Sequence, residues 1–168
     1  MMKRIYIIGF TGTGKTRLAG ELAGLTGRKH IDLDQWIEER TGQTISEIFA
    51  TSGEAFFREA EQKALKEVMQ SEDVVISTGG GTPCFFDNMD QMLKTGVCIY
   101  LKSKPDQLFS WLMHNSAHRP LIAGLSGDEL MEWIRNELNL REPFYQRAQL
   151  CIDSLNIDIK KLAEDLAG

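Results

Sequence analysis

Lys15 and Thr16 close the stretch Gly9-Phe10-Thr11-Gly12-Thr13-Gly14-Lys15-Thr16, which fits G-x-x-x-x-G-K-[ST], the P-loop, at every fixed position. Each residue type has a physical reason. Glycines let backbone N–H groups turn inward and approach phosphate oxygens with no Cβ in the way. A helix that starts here points its partial positive end at the same spot. Lys15 adds a full charge for the β- and γ-phosphates, and Thr16 offers a hydroxyl to Mg²⁺. The chemistry is nucleoside triphosphate binding.

A P-loop names a donor and says nothing of the acceptor. The residues left to define it are Asp32, Asp34, Arg58, Glu61, Gly79-Gly80-Gly81, Arg119 and Arg141. Read as the end of a strand, Asp32 and Asp34 are two apart and share one face. That arrangement suits one acid near Mg²⁺ through its waters and one bonded to an acceptor hydroxyl. The plainer alternative is a pair of solvated acids, or Asp34 as a helix N-cap. Arg58 and Glu61 are i, i+3 neighbours on a helix. Glu61 either braces Arg58 for a bidentate grip on an anion or forms an ordinary surface pair. Three consecutive glycines after a strand are costly in entropy unless the backbone must bend or meet a ligand. They stand where P-loop proteins often place an acid, so metal support falls to Asp32.

These residues need elements to hold them. Arg4 to Ile8 reads as a buried strand before the P-loop, and Leu18, Leu22 and Leu25 recur at helical spacing after it. His30 to Asp34 reads as a second strand, followed by a helix from Gln35 to Arg40. Thr44-Ile45-Ser46-Glu47 is a capping box. Ser52-Gly53-Glu54 interrupts its helix, and an amphipathic helix runs from Glu54 to Gln70. Val74 to Thr78 is a buried strand, Asp87 to Thr95 a helix with Asp87 as N-cap, and Val97 to Leu101 the next strand. Ser103 reads as the cap of a helix that has Pro105 in its first turn. His114 to Gly127 lacks periodicity and reads as a mobile lid. Ser126 caps a helix through Leu140, Arg141 to Tyr145 forms a junction with Pro143 opening a further turn, Leu150 to Ile152 is a last strand, and Asn156 to Ala167 closes the chain. The alternation predicts an α/β fold: a parallel sheet of five strands with helices on both faces and ligands beyond the strands' carboxyl ends.

The chain has 168 residues, which predicts one domain over 1–168 with the lid at 114–127. Its net charge of −5 leaves no basic footprint for nucleic acid. Three cysteines, Cys84, Cys98 and Cys151, argue against a disulfide framework or a zinc site. Cys98 and Cys151 sit in apolar runs and read as buried thiols. Cys84 falls near the glycines without a catalytic role. His30, His114 and His118 fit no pattern and read as solvated or loop residues. No apolar run is long enough to span a bilayer. Lys3 and Arg4 lead into a strand rather than a signal peptide, so a cytoplasmic location is expected.

Taken together the stretches GFTGTGKT (9–16), IDLD (31–34), TGQTISEIFATSGEAFFREAE (41–61), STGGGTP (77–83), RPLI (119–122) and REPFYQRA (141–148) resemble the shikimate kinase family over nearly the whole chain. The string from Gly53 to Glu61 is far more specific than the P-loop. The resemblance implies a three-layer P-loop fold of the nucleoside-monophosphate-kinase type. It implies phosphoryl transfer from ATP to the 3-hydroxyl of shikimate, with Mg²⁺, by a monomer. Carried over by position, Lys15, Asp34 and Arg119 are catalytic, with Asp34 as the base. Gly12, Thr13, Gly14, Lys15, Thr16, Arg17 and Arg119 bind ATP. Asp34, Arg58, Gly80, Gly81 and Arg141 bind shikimate, the two arginines on its carboxylate. Thr16 and Asp32 hold the metal, Asp32 through water. The family commonly has an arginine on adenine seven residues before Arg119; Leu112 stands there, so an apolar wall with Trp111 and Met113 is expected instead. The competing readings are a related kinase for gluconate or a nucleoside monophosphate, and a nucleotide-binding subunit without turnover. Intact Lys15, Thr16, Asp34 and Arg119 argue against the last.

Overall fold

The computed structural model describes residues 4–115 and 119–168; Lys3, His118 and the rest of 116–118 in the expected lid lie outside them. Five strands, β1 (Arg4–Ile8), β2 (Lys29–Asp32), β3 (Val74–Ser77), β4 (Val97–Lys102) and β5 (Leu150–Asp153), form one sheet in the order β2-β3-β1-β4-β5. Every pairing is parallel. Between them run α1 (Lys15–Thr26), α2 (Leu33–Thr41), α3 (Ile45–Val68), α4 (Asn88–Thr95), α5 (Pro105–His114) and α6 (Gly127–Tyr145), and α7 (Ile159–Ala167) follows β5.

The strands carry near-continuous apolar runs because both faces are covered, as a parallel sheet requires. In β1 the side chains alternate. Ile5 and Ile7 pack with Leu18 and Leu22 of α1 and Leu162 and Leu166 of α7. Tyr6 and Ile8 pack on the other face with residues of α2 to α6, among them Leu33, Phe57, Met92, Leu108 and Ile134. Each isoleucine of β1 is fully buried, which contributes about 1.5–3 kcal/mol apiece. The three-layer α/β architecture therefore follows from period-two alternation in strands that are apolar throughout.

Several expected boundaries move. β2 ends at Asp32, and Asp34 lies in the first turn of α2. Asp32 Oδ1 accepts the Gln35 N–H at 3.0 Å, which makes Asp32 the N-cap, and Leu33 and Ile37 then bury as an i, i+4 pair. Ser103 is not a cap: its Oγ meets Ser154 Oγ at 2.5 Å, while Lys104 takes the N-cap position with its N–H donating to Gln107 Oε1. Pro143 does not open a new turn. It sits inside α6, two residues before its last residue, where it removes one i→i−4 hydrogen bond without ending the helix. α7 starts at Ile159, capped by Asp158 rather than from Asn156. Cys98 is buried, but Cys151 is exposed on the edge strand β5. His30 is not in a loop: it lies half-buried in β2, and its Nε2 bonds to Ser77 Oγ at 2.9 Å across the β2–β3 pair.

Candidate active site

The carboxyl ends of β1, β2 and β3 open into one cleft of about 770 Å³, lined among others by Thr11, Asp34, Arg58, Gly80, Arg119 and Arg141. Its donor side is the P-loop. Gly14 precedes α1 with φ +92°, a conformation that favours glycine and lets the loop turn into the helix. Lys15 is buried, and its ammonium donates to Phe10 O at 2.8 Å. Burial lowers its pKa to about 7, reinforced by the neighbouring Arg119 and opposed by Asp34. An incoming polyphosphate meets a lysine that is already short of counter-charge. Thr16 Oγ1 donates to Asp32 Oδ2 at 2.8 Å, at the exposed edge of the loop. Arg17 points away: it is largely solvent-exposed and pairs with Glu21 at 2.9 Å.

The acceptor side is built on α3, the glycine turn and α6. Gly53 breaks α3 with φ +82° and lets the segment from Glu54 take its own direction. That segment carries Arg58 and Glu61, both buried, paired at 3.1 Å. Glu61 is therefore no surface partner. Its other oxygen accepts from Thr82 Oγ1 at 2.9 Å, and Arg58 also pairs with Glu54 and lies 4.1 Å over the Phe85 ring. The guanidinium is fixed from three sides. From α6 comes Arg141, buried, braced by Glu137 at 3.1 Å and set over the rings of Phe10 and Trp133. The glycine turn fits between them. A Cβ on Gly81 would lie 2.6 Å from Arg58 Nη1, and one on Gly80 would lie 2.9 Å from Arg141 Nη1 and 2.6 Å from Thr11 Oγ1. Only glycine allows that approach.

Asp34 stands between the halves. Its Oδ1 is buried and has no hydrogen-bond partner. Burial raises its pKa to about 7, helped by the nearby Glu61 and Asp32 and offset by Lys15. A buried acceptor left unmade is expensive, so this oxygen is positioned for a donor that arrives with a ligand. A carboxyl group near neutral pKa is also well matched to proton transfer at pH 7.

The model for the shikimate kinase family matches residues 11–167. The chain belongs to the shikimate kinase family. It is 46% identical over 153 residues to the shikimate kinase of Parabacteroides distasonis, covering 91% of this chain and 88% of that one. The crystal structure of shikimate kinase from Bacteroides thetaiotaomicron superposes with a TM-score of 0.89 at 42% identity, over 99% of this chain and 97% of the other. The Acinetobacter baumannii shikimate kinase in complex with shikimate does so with a TM-score of 0.89 at 30% identity, over 99% and 92%. Members of the shikimate kinase family transfer phosphate to a shikimate hydroxyl, so the chain is a kinase of a small alcohol.

The structure corrects one family-based expectation. Leu112 cannot form a wall for a base, because it is fully buried in the core between α5 and its neighbours. Of the three candidates only Trp111 reaches the cleft. Sequence reasoning also passed over the supporting groups: Thr82 under Glu61, Phe85 on Arg58, Glu137 behind Arg141, and Tyr145, whose hydroxyl donates to Gly80 O. Tyr145 falls inside the REPFYQRA stretch, so the signal was present without a role attached. Cys84 does lie close by; burial pushes its thiol up to about 11, which keeps it protonated.

Proposed function

We propose that the chain transfers the γ-phosphoryl group of ATP to the 3-hydroxyl of shikimate through the residues gathered in this cleft. One observation carries the reading: two buried, braced guanidiniums, Arg58 and Arg141, converge on the glycine turn beside the unpartnered Oδ1 of Asp34, opposite the P-loop. This is a seat for a small carboxylate that also carries a hydroxyl. Arg58 and Arg141 hold the carboxylate in charge-assisted bonds. The backbone of Gly80 and Gly81 meets the ring. Asp34 accepts a bond from the 3-hydroxyl, turns its oxygen toward the γ-phosphorus, and takes its proton as the new P–O bond forms and the bond to the β-phosphate oxygen breaks. Lys15, with the amides of Gly12, Thr13, Gly14 and Thr16, holds the phosphates, and Arg119 adds charge on the transferring group. Arg17 contributes to ATP binding once released from Glu21.

Kinases of this kind generally use Mg²⁺. The pair Thr16 Oγ1 and Asp32 Oδ2, 2.8 Å apart, suits a hard, hydrated cation, with Asp32 acting through water. Among the described residues no group of three or more His, Cys, Asp or Glu could hold a metal ion. When bound it would neutralise charge on the β- and γ-oxygens. A single domain over 1–168 with a lid at 114–127, a monomeric state and a cytoplasmic location accord with a kinase that draws on ATP. No described helix is long and apolar enough to cross a membrane, and the net charge of −5 offers nothing to nucleic acid.

A coupled assay of ADP release across shikimate, gluconate and AMP tests the assignment. Release that depends on shikimate, with gluconate and AMP near background, is expected; release without preference for shikimate would refute it.

A further inference from the structure

Trp111 is an unusual residue for its place. It lies in the last turn of α5, 40% exposed, yet its indole is set against the P-loop: a Cβ on Gly12 would stand 2.8 Å from Trp111 Cε3. The ring also carries a cation. The Arg119 guanidinium sits over the ring with its carbon 4.8 Å from the centroid. Among the described residues Arg119 forms no ion pair or hydrogen bond through its side chain. The indole thus touches the P-loop at Gly12 and stacks with the Arg119 guanidinium. The backbone of Arg119 is fixed as well, since its carbonyl accepts the N–H groups of Ile122 and Ala123, and Ile122 is anchored in the core.

The stack has an electrostatic purpose. Arg119 is drawn close enough to Lys15 to depress its pKa, and Arg141 acts in the same direction. Three cations around an anion site repel one another until the anion arrives. An arginine free to choose would swing into solvent. An aromatic face holds a guanidinium without neutralising it, and leaves its N–H edge free to bond.

We propose that Trp111 is a positioning residue that holds Arg119 over the phosphate cradle before the nucleotide arrives, so that the guanidinium need not be recruited from solvent for the transfer step. The proposal rests on the reading of Arg119 as a phosphate ligand. Trp111 acts through Arg119 and not on the substrate. The cost of removing the platform therefore appears in turnover, and only while Arg119 is present.

The test is a double-mutant cycle on shikimate phosphorylation with Trp111→Leu, Trp111→Phe, Arg119→Ala and the double variant Trp111→Leu/Arg119→Ala. The ring's exposure makes these substitutions tolerable to the fold, and the phenylalanine variant keeps a smaller aromatic face. Trp111→Leu is expected to lower kcat by about 2- to 30-fold, the span of a cation–π contact from exposed to desolvated, with the KM for ATP nearly unchanged. Trp111→Phe should recover most of that loss. In the Arg119→Ala background Trp111→Leu should change nothing further. An equal loss in both backgrounds, or a loss expressed as a raised KM for ATP, would overturn the proposal by showing that the indole touches the nucleotide itself or merely supports the loop. Unchanged turnover in Arg119→Ala alone would instead remove the role of Arg119 on which the proposal stands.

Discussion

Asp34 is held where its charge is least welcome. Burial, then Glu61 and Asp32, raise its pKa to about 7, against about 3.9 for a free side chain. Between those values the folded chain keeps a proton that the unfolded chain has released. The group's stability contribution is therefore fully present below about pH 4 and is lost as pH rises through 7. Asn at this position has the same shape and no charge to strand. Asp34→Asn is expected to raise Tm at pH 8 by about 2–4 °C for each kcal/mol relieved, with a smaller gain at pH 5, where wild-type Asp34 is already protonated. The same change should lower turnover at least ~10-fold, because the amide cannot take the proton. Thermal melts at the two pH values, with initial rates alongside, decide the matter: an equal Tm at both, or full activity, would show that Asp34 is not the strained acid of the acceptor half. Its residue type was legible in the sequence. Its strain was not, because burial by Glu61 and the glycine turn is a property of chain segments far apart in sequence.

At the scale of elements, local signals were readable where local chemistry decides. The Thr44–Glu47 capping box forms with both reciprocal bonds, and Gly53 breaks α3 where a glycine between Ser52 and Glu54 suggested. They failed where packing decides. His30 to Asp34 alternates polar and apolar like a strand, but the Asp32 cap and the burial of Leu33 turn the chain into α2 one residue after Asp32. Pro143 looked like a boundary, but α6 continues past it to Tyr145, which is tied to Gly80 O and set against the Tyr100 ring at 5.0 Å. The glycine turn makes a sharper prediction. Gly81 has φ −92°, open to any residue, so an alanine there suffers only from the guanidinium it meets, 2.6–2.8 Å away. Arg58 is pinned by Glu61, Glu54 and Phe85 and has little room to yield. Gly81→Ala should raise the KM for shikimate about tenfold or more with the KM for ATP unchanged. Gly80→Ala, whose Cβ would strike Thr11 in the P-loop, should disturb both constants. Steady-state kinetics on the pair separates them, and matching effects on both constants in Gly81→Ala would contradict the geometry.

The whole molecule is an acidic chain that gathers Arg58, Arg119 and Arg141 around one cleft, with Lys15 within electrostatic reach of Arg119, Arg141 and Asp34. The sheet makes this possible: β1 sits at its centre and delivers the donor loop, while α2, α3, the glycine turn after β3 and α6 bring the acceptor groups. Ligand binding relieves repulsion that folding has imposed, so each half-site should stabilise the fold when filled. A ligand that binds only the folded state at 100 times its Kd contributes about 2.7 kcal/mol, which for a domain of this size is a Tm rise of roughly 5–10 °C. The halves can be told apart by removing one cation of the acceptor side. Arg58 is a poor choice, because Glu61 would remain buried and unpaired at a cost of about 3–5 kcal/mol. Arg141 is better, since its partner Glu137 is 28% exposed and can turn to water. In Arg141→Ala the rise produced by ATP should persist, and the rise produced by shikimate should largely vanish. A shikimate-induced rise that survives this substitution would mean that the carboxylate is held elsewhere, and that the convergence of Arg58 and Arg141 on the glycine turn is structural rather than a binding device.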